Sequence, residues 1–401
     1  MPPDKLESPH DRYRERLARL TDDTALCHAI VEAGREHGWW SADRTWVRVR
    51  ARFTPDREPF AALVFQSDGD PQRLCEVEVF EARPARPGSS TAFSLDDVAG
   101  WLGVTPFPSD PALPRLPDVL AQPGRPTVVR YLPRRQCTIR FDRPEGGSHF
   151  TKSFRSDSAQ RTHVHGLALW EARDELEFVV ARPLRWDLDM RTVWQEGIPG
   201  TPVTALHLGH VGASLGARMG RAAASLTRSS VTPSVVYDLA AHLGRSVRYS
   251  HDLVALVPRL EPIVDALMHK FLRAHANVKT YPLRPIHGSL SRAQWVDGTS
   301  HLGLVDFDKL ALGDPEFDVA ALLTELDYDR IQVEDIKAAF LSSYESIAGP
   351  LDRDLLDIYA AHERLEKAVK SARAVRPDGD ARAEHHLMTA LDDGAASWNA
   401  T

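Results

Sequence analysis

The hydrophobic pattern of this 401-residue chain changes once along its length. In the first half, short segments such as VRVRARF and CEVEVF alternate apolar and polar residues, and turn-forming segments such as TPDREP separate them. This alternation is typical of strands, because successive side chains of a strand point to opposite faces of a sheet. From about residue 204 onward the apolar residues recur at helical spacing. A strand-rich first half joined to a helical second half predicts an α+β fold with two lobes.

Length and composition exclude several classes of protein. A chain of 401 residues exceeds the usual size of one hydrophobic core, so two or three substructures are expected. A content of 43% hydrophobic and 26% charged residues is ordinary for a globular protein, and the net charge of −7 argues against a nucleic-acid partner. Three cysteines without zinc-ligand spacing indicate a reduced, cytoplasmic protein. The charged N-terminus and the lack of a long apolar segment predict neither export nor membrane insertion.

The first 120 residues combine helical and strand patterns. Residues 10–38 predict one or two helices, and residues 46–83 predict a three-stranded antiparallel meander. Ser94 is expected to cap a short helix, LDDVAGWL, because its hydroxyl can accept from the exposed amides of a first turn. A proline-rich stretch then interrupts regular structure.

A second strand hairpin, TVVRYLPRRQCTIRF followed by SHFTKSFR, resembles the first. Aligning residues 53–57 with residues 131–135 also aligns Glu78 with Lys152 when a short gap is allowed. We interpret this similarity as an internal repeat of a strand-hairpin unit. Only the second copy then offers a cation inside a strand.

One polar segment, residues 285–326, interrupts the helical second half and concentrates side chains capable of chemistry. Carboxylate and amide oxygens of the kind found there are the ligands that Mg²⁺ prefers. The segment is therefore the predicted site of chemistry. Its key positions are His287, Gly288, Ser289, Gln294, Asp306, Asp308, Gly313, Asp314, Pro315 and Asp318.

The order and spacing of these residues resemble the aminoglycoside phosphotransferase, choline kinase and maltokinase superfamily. Its pattern is His-Gly-Asp, then an asparagine, an apolar pair with aspartate, Gly-Asp-Pro and a further aspartate. In this chain Gln294 replaces the asparagine, and Ser289 stands where the superfamily has its catalytic aspartate. The resemblance covers roughly residues 127–325.

The resemblance implies a bilobal protein-kinase-like fold with a β-rich N-lobe, a helical C-lobe and an extra N-terminal α/β segment. Residues 1–120 are then the N-terminal extension, and residues 121–200 are the kinase-like N-lobe and hinge. Residues 201–401 are the helical C-lobe with the catalytic and metal-binding loops.

The resemblance also implies ATP or GTP with Mg²⁺ as cofactors. Lys152 is expected to bind the α- and β-phosphates, with Glu171 of the following helix as its partner, although Glu175 and Glu177 lie nearby and leave that assignment open. Backbone groups of the hinge would bind the base. The expected catalytic residues are His287, Ser289 and Asp306, the hinge residues are Gln195, Glu196 and Ile198, and the metal ligands are Gln294, Asp306 and Asp308.

Other polar residues near this site have a structural interpretation. Asp314 and Asp318 are expected to brace the loop and to cap the next helix. His163 and His165 lie in a helical pattern and are expected on the surface. Four arginines of the second hairpin are suited to phosphate binding, but a solvated strand face is the favoured interpretation. They are Arg130, Arg134, Arg135 and Arg140.

Ser289 leaves alternatives for the function, because a serine hydroxyl cannot accept a proton near neutral pH as an aspartate does. We expect an ATP- and Mg²⁺-dependent phosphotransferase acting on a small-molecule hydroxyl, with positioning and charge neutralisation supplying most of the rate. The alternatives are a catalytically impaired pseudokinase that binds nucleotide or a partner, and a kinase-like subunit acting on a peptide in natural-product biosynthesis. No nucleic-acid or membrane partner is expected, and the sequence indicates neither the acceptor nor the oligomeric state.

Overall fold

The computed structural model has the α+β architecture that the sequence predicts. Two antiparallel five-stranded sheets dominate the first half, and helices dominate the second. No helix in the described part of the chain has the length and apolar character needed to span a bilayer. The described residues are 17–40, 45–54, 57–83, 91–95, 100–279, 281–328 and 333–392.

The first sheet packs against an N-terminal helix, α1 (Asp23–His37). The Asp22 carboxylate caps this helix by accepting from the Thr24 N–H. The buried side chains of Leu26 and Ile30 contact the core of the sheet. Its strands are β1 (Trp46–Phe53), β2 (Ala61–Ser67), β3 (Asp70–Phe80), β4 (Thr91–Leu95) and β5 (Gly100–Pro106), in the order β1-β2-β3-β5-β4.

The predicted β1–β3 meander is confirmed, whereas the helix predicted over residues 95–102 is wrong at both ends, which are strands; residues 96–99 lie outside the described residues. Ser94 lies in β4, and residues 100–106 form β5, which pairs with β3. Leu102 and Val104 alternate into the core of the sheet. Tertiary pairing therefore outweighed the helical pattern of this segment.

The second sheet follows a short helix, α2 (Leu116–Leu120). Its strands are β6 (Arg125–Leu132), β7 (Gln136–Asp142), β8 (Ser148–Phe154), β9 (Pro183–Asp187) and β10 (Thr192–Glu196), with α3 (Ser158–Glu171) after β8. The strand order β6-β7-β8-β10-β9 matches that of the first sheet position by position. Lys152 of β8 lies opposite Thr138, as Glu78 of β3 lies opposite Ala62. Glu78 and Lys152 therefore occupy equivalent register positions in two sheets of the same topology.

The helical lobe follows, and its core contains Trp295, Phe317 and Tyr359. Its helices are α4 (Ala205–Arg228), α5 (Leu239–Leu256), α6 (Glu261–Asn277), α7 (Pro315–Leu326), α8 (Glu334–Ala348), α9 (Arg353–Ala372) and α10 (Gly379–Asp392). Its short strands are β11 (Thr201–Pro202), β12 (Arg284–Ile286), β13 (Trp295–Asp297), β14 (Leu302–Leu304) and β15 (Ala311–Gly313). Within the polar segment, the pair β12–β15 encloses residues 287–310, and the hairpin β13–β14 lies inside that range.

The first sheet contacts both other parts of the molecule. Val64 and Leu74 pack in one apolar cluster with Ile139 of the second sheet. The Phe53 N–H donates to the Arg373 carbonyl of the helical lobe at 2.8 Å. The N-terminal extension is thus packed against the lobes on either side of the cleft described below.

Candidate active site

In the polar segment, residues 287–290 form a loop that follows β12. Gly288 has a φ of +77°, and a Cβ atom there would lie 2.1 Å from the Lys309 carbonyl oxygen. Only glycine fits, because any other residue would add backbone strain and a clash with backbone. The loop therefore packs directly on the turn that contains Asp308. Ser289 is half-buried within this loop.

Asp318, in the first turn of α7, braces this loop. Its buried carboxylate accepts hydrogen bonds from the N–H groups of His287 at 2.5 Å, Gly288 at 3.0 Å and Leu290 at 3.4 Å. The expectation that Asp318 braces the loop is confirmed.

Asp314 does not play the capping part expected of it. It occupies the N-cap position of α7, but its side chain makes no capping hydrogen bond. The carboxylate instead accepts from the Tyr359 hydroxyl at 2.5 Å. The start of α7 is thus tied to α9, which stiffens the support beneath the loop.

His287 connects the loop to the strand end that carries Asp306. Its Nε2–H donates to the Val305 carbonyl at 3.0 Å, and its ring is fully buried beside that of Phe307. Burial lowers the pKa of His287, so the ring is neutral near pH 7 with its proton on Nε2. His287 is therefore placed to position Asp306 and Phe307.

Lys152 reaches across the cleft between the second sheet and the helical lobe. Its ammonium forms ion pairs with both Asp306 and Asp308. The three side chains are 14%, 29% and 21% exposed, so the cluster is largely shielded from water. Asp306 has a φ of +74°, an uncommon conformation for a residue with a Cβ. The structure thus brings together the strand lysine and two of the three expected metal ligands.

The charges in this cluster shift one another's proton affinities. Burial opposes the ionised form of Asp306, but the attraction of Lys152 prevails and lowers the pKa of Asp306. Burial, with the neighbouring Asp306, raises the pKa of Asp308 despite Lys152. Burial alone would lower the pKa of Lys152, but the attraction of the two carboxylates prevails and raises it. Asp306 is the more acidic carboxyl and Asp308 the more basic one.

Helix α3 packs on the cluster through residues that the sequence analysis did not select as functional. The Thr162 hydroxyl donates to Asp308 at 3.4 Å, and His165 Nδ1 donates to the Phe307 carbonyl at 3.2 Å. The expectation that His165 lies on the surface was wrong, because its ring is buried. The spacing of three residues between Thr162 and His165 was the available signal, since it places both on one helix face.

Glu171 and Lys152 are not brought together. Glu171 is exposed at the last residue of α3, six residues after His165 and on another helix face. No ion pair among the described residues joins it to Lys152, whose partners are Asp306 and Asp308. The nearby alternatives have other partners: Glu175 accepts from Ser230, and Glu177 pairs with Arg221.

The segment expected to be the hinge leaves the second sheet at β10. Gln195 and Glu196 are the last two residues of β10, and Ile198 lies two residues after Glu196. The Gly197 N–H donates to the Ser148 carbonyl at 2.8 Å. Within the described ranges the Ile198 N–H has no hydrogen-bond partner, so it is available to a ligand.

Gln294, the third expected metal ligand, is already engaged. Its side-chain oxygen accepts from the Ser291 N–H at 2.7 Å and closes a capping box. The carboxylates of Asp306 and Asp308 are therefore the groups best placed to hold a divalent cation. The described part of the chain contains no cluster of three or more metal-ligating His, Cys, Asp or Glu side chains. Two carboxylates still suit Mg²⁺, which commonly takes its other ligands from water and substrate phosphates.

Three solved structures that are similar to this chain are small-molecule kinases. An amicoumacin kinase in complex with AMP-PNP, Ca²⁺ and Ami is 15% identical, with a TM-score of 0.52 over 69% of this chain and 92% of that chain. The GDP complex of aminoglycoside 2'-phosphotransferase-IIIa is 16% identical, with a TM-score of 0.51 over 70% and 96%. A choline kinase from Streptococcus pneumoniae is 13% identical, with a TM-score of 0.50 over 69% and 96%. At these identities the likeness shows the protein-kinase-like fold.

The sequence itself also matches a described family. No curated protein matches the chain. The phosphotransferase enzyme family matches residues 144–356, more than half of the chain, and this range includes Lys152 and the whole polar segment. The chain therefore belongs to the phosphotransferase enzyme family, with the protein-kinase-like fold of its small-molecule kinases.

Proposed function

We propose that the protein transfers the γ-phosphoryl group of ATP, with Mg²⁺, to a hydroxyl group of a small molecule. The proposal rests on the pairing of Lys152 with Asp306 and Asp308 across the cleft. Phosphoryl transfer depends mainly on positioning and charge neutralisation, and these side chains supply the charges for both. Membership of the family supports the same class of reaction.

In this proposal each residue of the cluster, together with the hinge residue Ile198, has a chemical role. Lys152 would exchange its carboxylate partners for phosphate oxygens, while the free Ile198 N–H would donate to the base. Asp306, ionised at neutral pH because its pKa is lowered, and Asp308 would hold Mg²⁺. When bound, Mg²⁺ would offset the negative charge of the phosphates. GTP would fit the same charges.

The proton of the acceptor hydroxyl needs a destination other than Ser289. Asp308 is the more basic carboxyl of the cluster, because burial and Asp306 raise its pKa. A carboxylate with a raised pKa is a better proton acceptor. We therefore assign the proton to an oxygen of the substrate or to the Asp308 oxygen that would not bind Mg²⁺, with Ser289 limited to hydrogen bonding.

Asp306→Asn tests the proposal, because it keeps the shape of the side chain and removes its charge. We expect ADP formation to fall by roughly a hundredfold or more. Calorimetry with AMP-PNP should show that the Mg²⁺-dependent part of the affinity is lost. Asp142→Asn is the control, since Asp142 is an exposed strand residue paired with Arg140. Equal ADP formation in the wild type and Asp306→Asn would contradict the proposal.

Ser289 favours one rival function, a pseudokinase that binds nucleotide without turnover. Ser289→Asp separates the two, because it restores the carboxylate found at this position in the superfamily. If turnover rises by roughly a hundredfold, the site geometry is competent and lacks only the base. If AMP-PNP binds but neither protein forms product with any alcohol tested, the rival function stands.

A further inference from the structure

The first sheet ends in an open edge at β1. Among the described residues, β1 pairs with β2 on one side and with no strand on the other. The Phe53 N–H leaves this edge to donate to the Arg373 carbonyl at 2.8 Å, and the Cys27 thiol donates to the Trp46 carbonyl at 3.4 Å. These two contacts mark the ends of the edge and show which backbone groups point away from β2.

Between these contacts, Arg48 and Ala51 present backbone groups at the edge. Because residues two apart in a strand direct their N–H and C=O groups to the same side, Ala51 faces outward like Phe53, and Arg48 faces outward like Trp46. A bulge at Val49 explains the odd spacing between them. In the part of the chain that the structure describes, no hydrogen bond outside the β1–β2 ladder reaches the backbone of Arg48 or Ala51. Such an edge offers donors and acceptors to another extended chain.

A groove of about 440 Å³ runs along this edge. One wall consists of residues 48–51 of β1, and the other consists of residues 374–378, which connect α9 and α10. Val375 is buried in the core of the first sheet, so the second wall is anchored to the same sheet. The groove is therefore built from segments that already pack together, and its volume lies in the range of ligand-binding sites, roughly 300–1,000 Å³.

The groove carries an excess of positive charge. Its lining contains three arginines and one acid, namely Arg48, Arg50, Arg376 and Asp378. Asp378 is shared between Arg376 and Arg382, and Arg48 pairs with Asp23 at 3.3 Å. Arg50 is exposed, and within the described ranges its side chain forms no ion pair or hydrogen bond. A surface of this kind attracts acidic groups.

The same edge also exposes apolar side chains. Val47 is 57% exposed and Val49 is 52% exposed, and Val49 lines the groove. Exposed apolar side chains on an open sheet edge favour association with another chain. An extended chain in which apolar and acidic residues alternate would cover Val49 and bring its carboxylates to the arginines.

The equivalent edge of the second sheet differs. It is formed by β6, but the Val128 N–H on this edge donates to the side-chain oxygen of Gln72 from the first sheet. In the turn after β6, Arg134 pairs with the buried Glu78 at 2.6 Å, so the interpretation of the hairpin arginines as a solvated strand face is wrong for Arg134. No comparable bond reaches the middle of the β1 edge in the described part of the chain. The β1 edge is therefore the better docking surface.

We propose that this groove binds an extended acidic segment of a partner protein, which adds to the first sheet as a sixth strand beside β1. Pairing of backbones supplies affinity in such complexes, and side-chain contacts supply specificity. A nucleic acid lacks the backbone N–H donors that complement a strand edge. A second copy of the chain is disfavoured, because pairing β1 with β1 would bring the arginines of both copies together. The groove includes neither Lys152 nor Asp306, so the inference stands without the proposed function.

The test uses the full chain and labelled synthetic heptapeptides, with binding measured by fluorescence anisotropy. The probe alternates glutamate and valine, and its charge control alternates lysine and valine. We expect the glutamate peptide to bind at least tenfold more tightly than the lysine peptide. The glutamate peptide with methyl groups on alternate backbone nitrogens should bind at least tenfold more weakly than the unmodified one, because it lacks the donors for strand pairing.

Variants and hydrogen exchange locate the binding site. Arg50→Glu should weaken binding of the glutamate peptide at least tenfold. Arg273→Glu, at an exposed arginine of α6, is the matched control and should bind like the wild type. Hydrogen exchange should slow in residues 46–53 when the glutamate peptide is present, and not in β6. Thermal unfolding of each variant checks that it is folded.

Several outcomes would overturn the inference. Absence of binding, or equal binding of the glutamate peptide to the wild type and Arg50→Glu, would show that the groove is not its site. Equal binding of the N-methylated peptide would exclude strand pairing. A single-stranded oligonucleotide that binds more tightly than the peptide, and depends on Arg50, would assign the groove to nucleic acid. Dimers that sedimentation velocity detects in the wild type and not in Arg50→Glu would assign the edge to a second copy.

Discussion

Replacing Asp318 with alanine should destabilise the helical lobe, because this one carboxylate satisfies the backbone of the 287–290 loop. The bonds from His287 at 2.5 Å and Gly288 at 3.0 Å are short and fully buried. The bond from Leu290 at 3.4 Å is long and counts for little. Alanine would leave two buried N–H groups without an acceptor.

The expected loss follows from these two bonds. A hydrogen bond to a charged group contributes about 1.5–3 kcal/mol, so two contribute about 3–6 kcal/mol. Removing a buried carboxylate also removes its desolvation cost, which offsets part of this sum. We therefore expect Asp318→Ala to lower the free energy of unfolding by about 3 kcal/mol. Asp318→Asn keeps one accepting oxygen and should lose about half as much.

Urea unfolding followed by tryptophan fluorescence measures this change, since the buried Trp295 lies on β13 of the same lobe. Asp352→Ala is a matched control, because Asp352 caps the exposed start of α9 through two N–H bonds. The control should cost about 1 kcal/mol, the usual effect of losing a helix cap. A loss in Asp318→Ala no larger than in the control would refute the argument that Asp318 holds the loop.

Three further predictions concern the loop glycine Gly288, the contact between the two sheets and one histidine of α6. Gly288→Ala should cost about 2–4 kcal/mol in urea unfolding, from a positive φ and a clash with backbone, whereas Gly244→Ala in α5 meets open space and should stabilise slightly. Arg134→Ala should cost about 2 kcal/mol and weaken the docking of the first sheet, seen as faster hydrogen exchange in β3, while Glu78→Gln in the same background should recover part of the loss. Burial lowers the pKa of His275 to about 4, so the unfolded chain takes up its proton first, and stability should fall as pH drops from about 6.5 toward 4. His275→Gln should flatten this slope in urea titrations at several pH values, and an unchanged slope would contradict the assignment.

The sequence predicted the parts of the site that depend on order along the chain. The spacing from His287 to Asp318 is local, and the alternation around Lys152 is a strand signal, so both were accessible without coordinates. Lys152 and Asp306 meet across the cleft, as the resemblance to the superfamily implies.

Residues whose role depends on packing were not predictable in this way. Thr162 and His165 contact the Asp306–Asp308 turn only because α3 docks there with one particular face. Glu171 has the right residue type for a lysine partner but lies on another face of the same helix. The Ser94 segment looked helical because local pattern cannot report the pairing of β5 with β3.

The family match begins at residue 144 and ends at residue 356, and neither boundary is a boundary of the fold. The first falls after β7, and the second falls inside α9. A chain trimmed to the matched region would lose β7, the neighbour of β8 on one side, together with β6 beyond it and the first sheet that packs against them. The smallest autonomous folding unit is therefore larger than the homologous unit. Recombinant work on this protein should retain residues 125–142, because β8 with Lys152 would otherwise become an edge strand of its sheet.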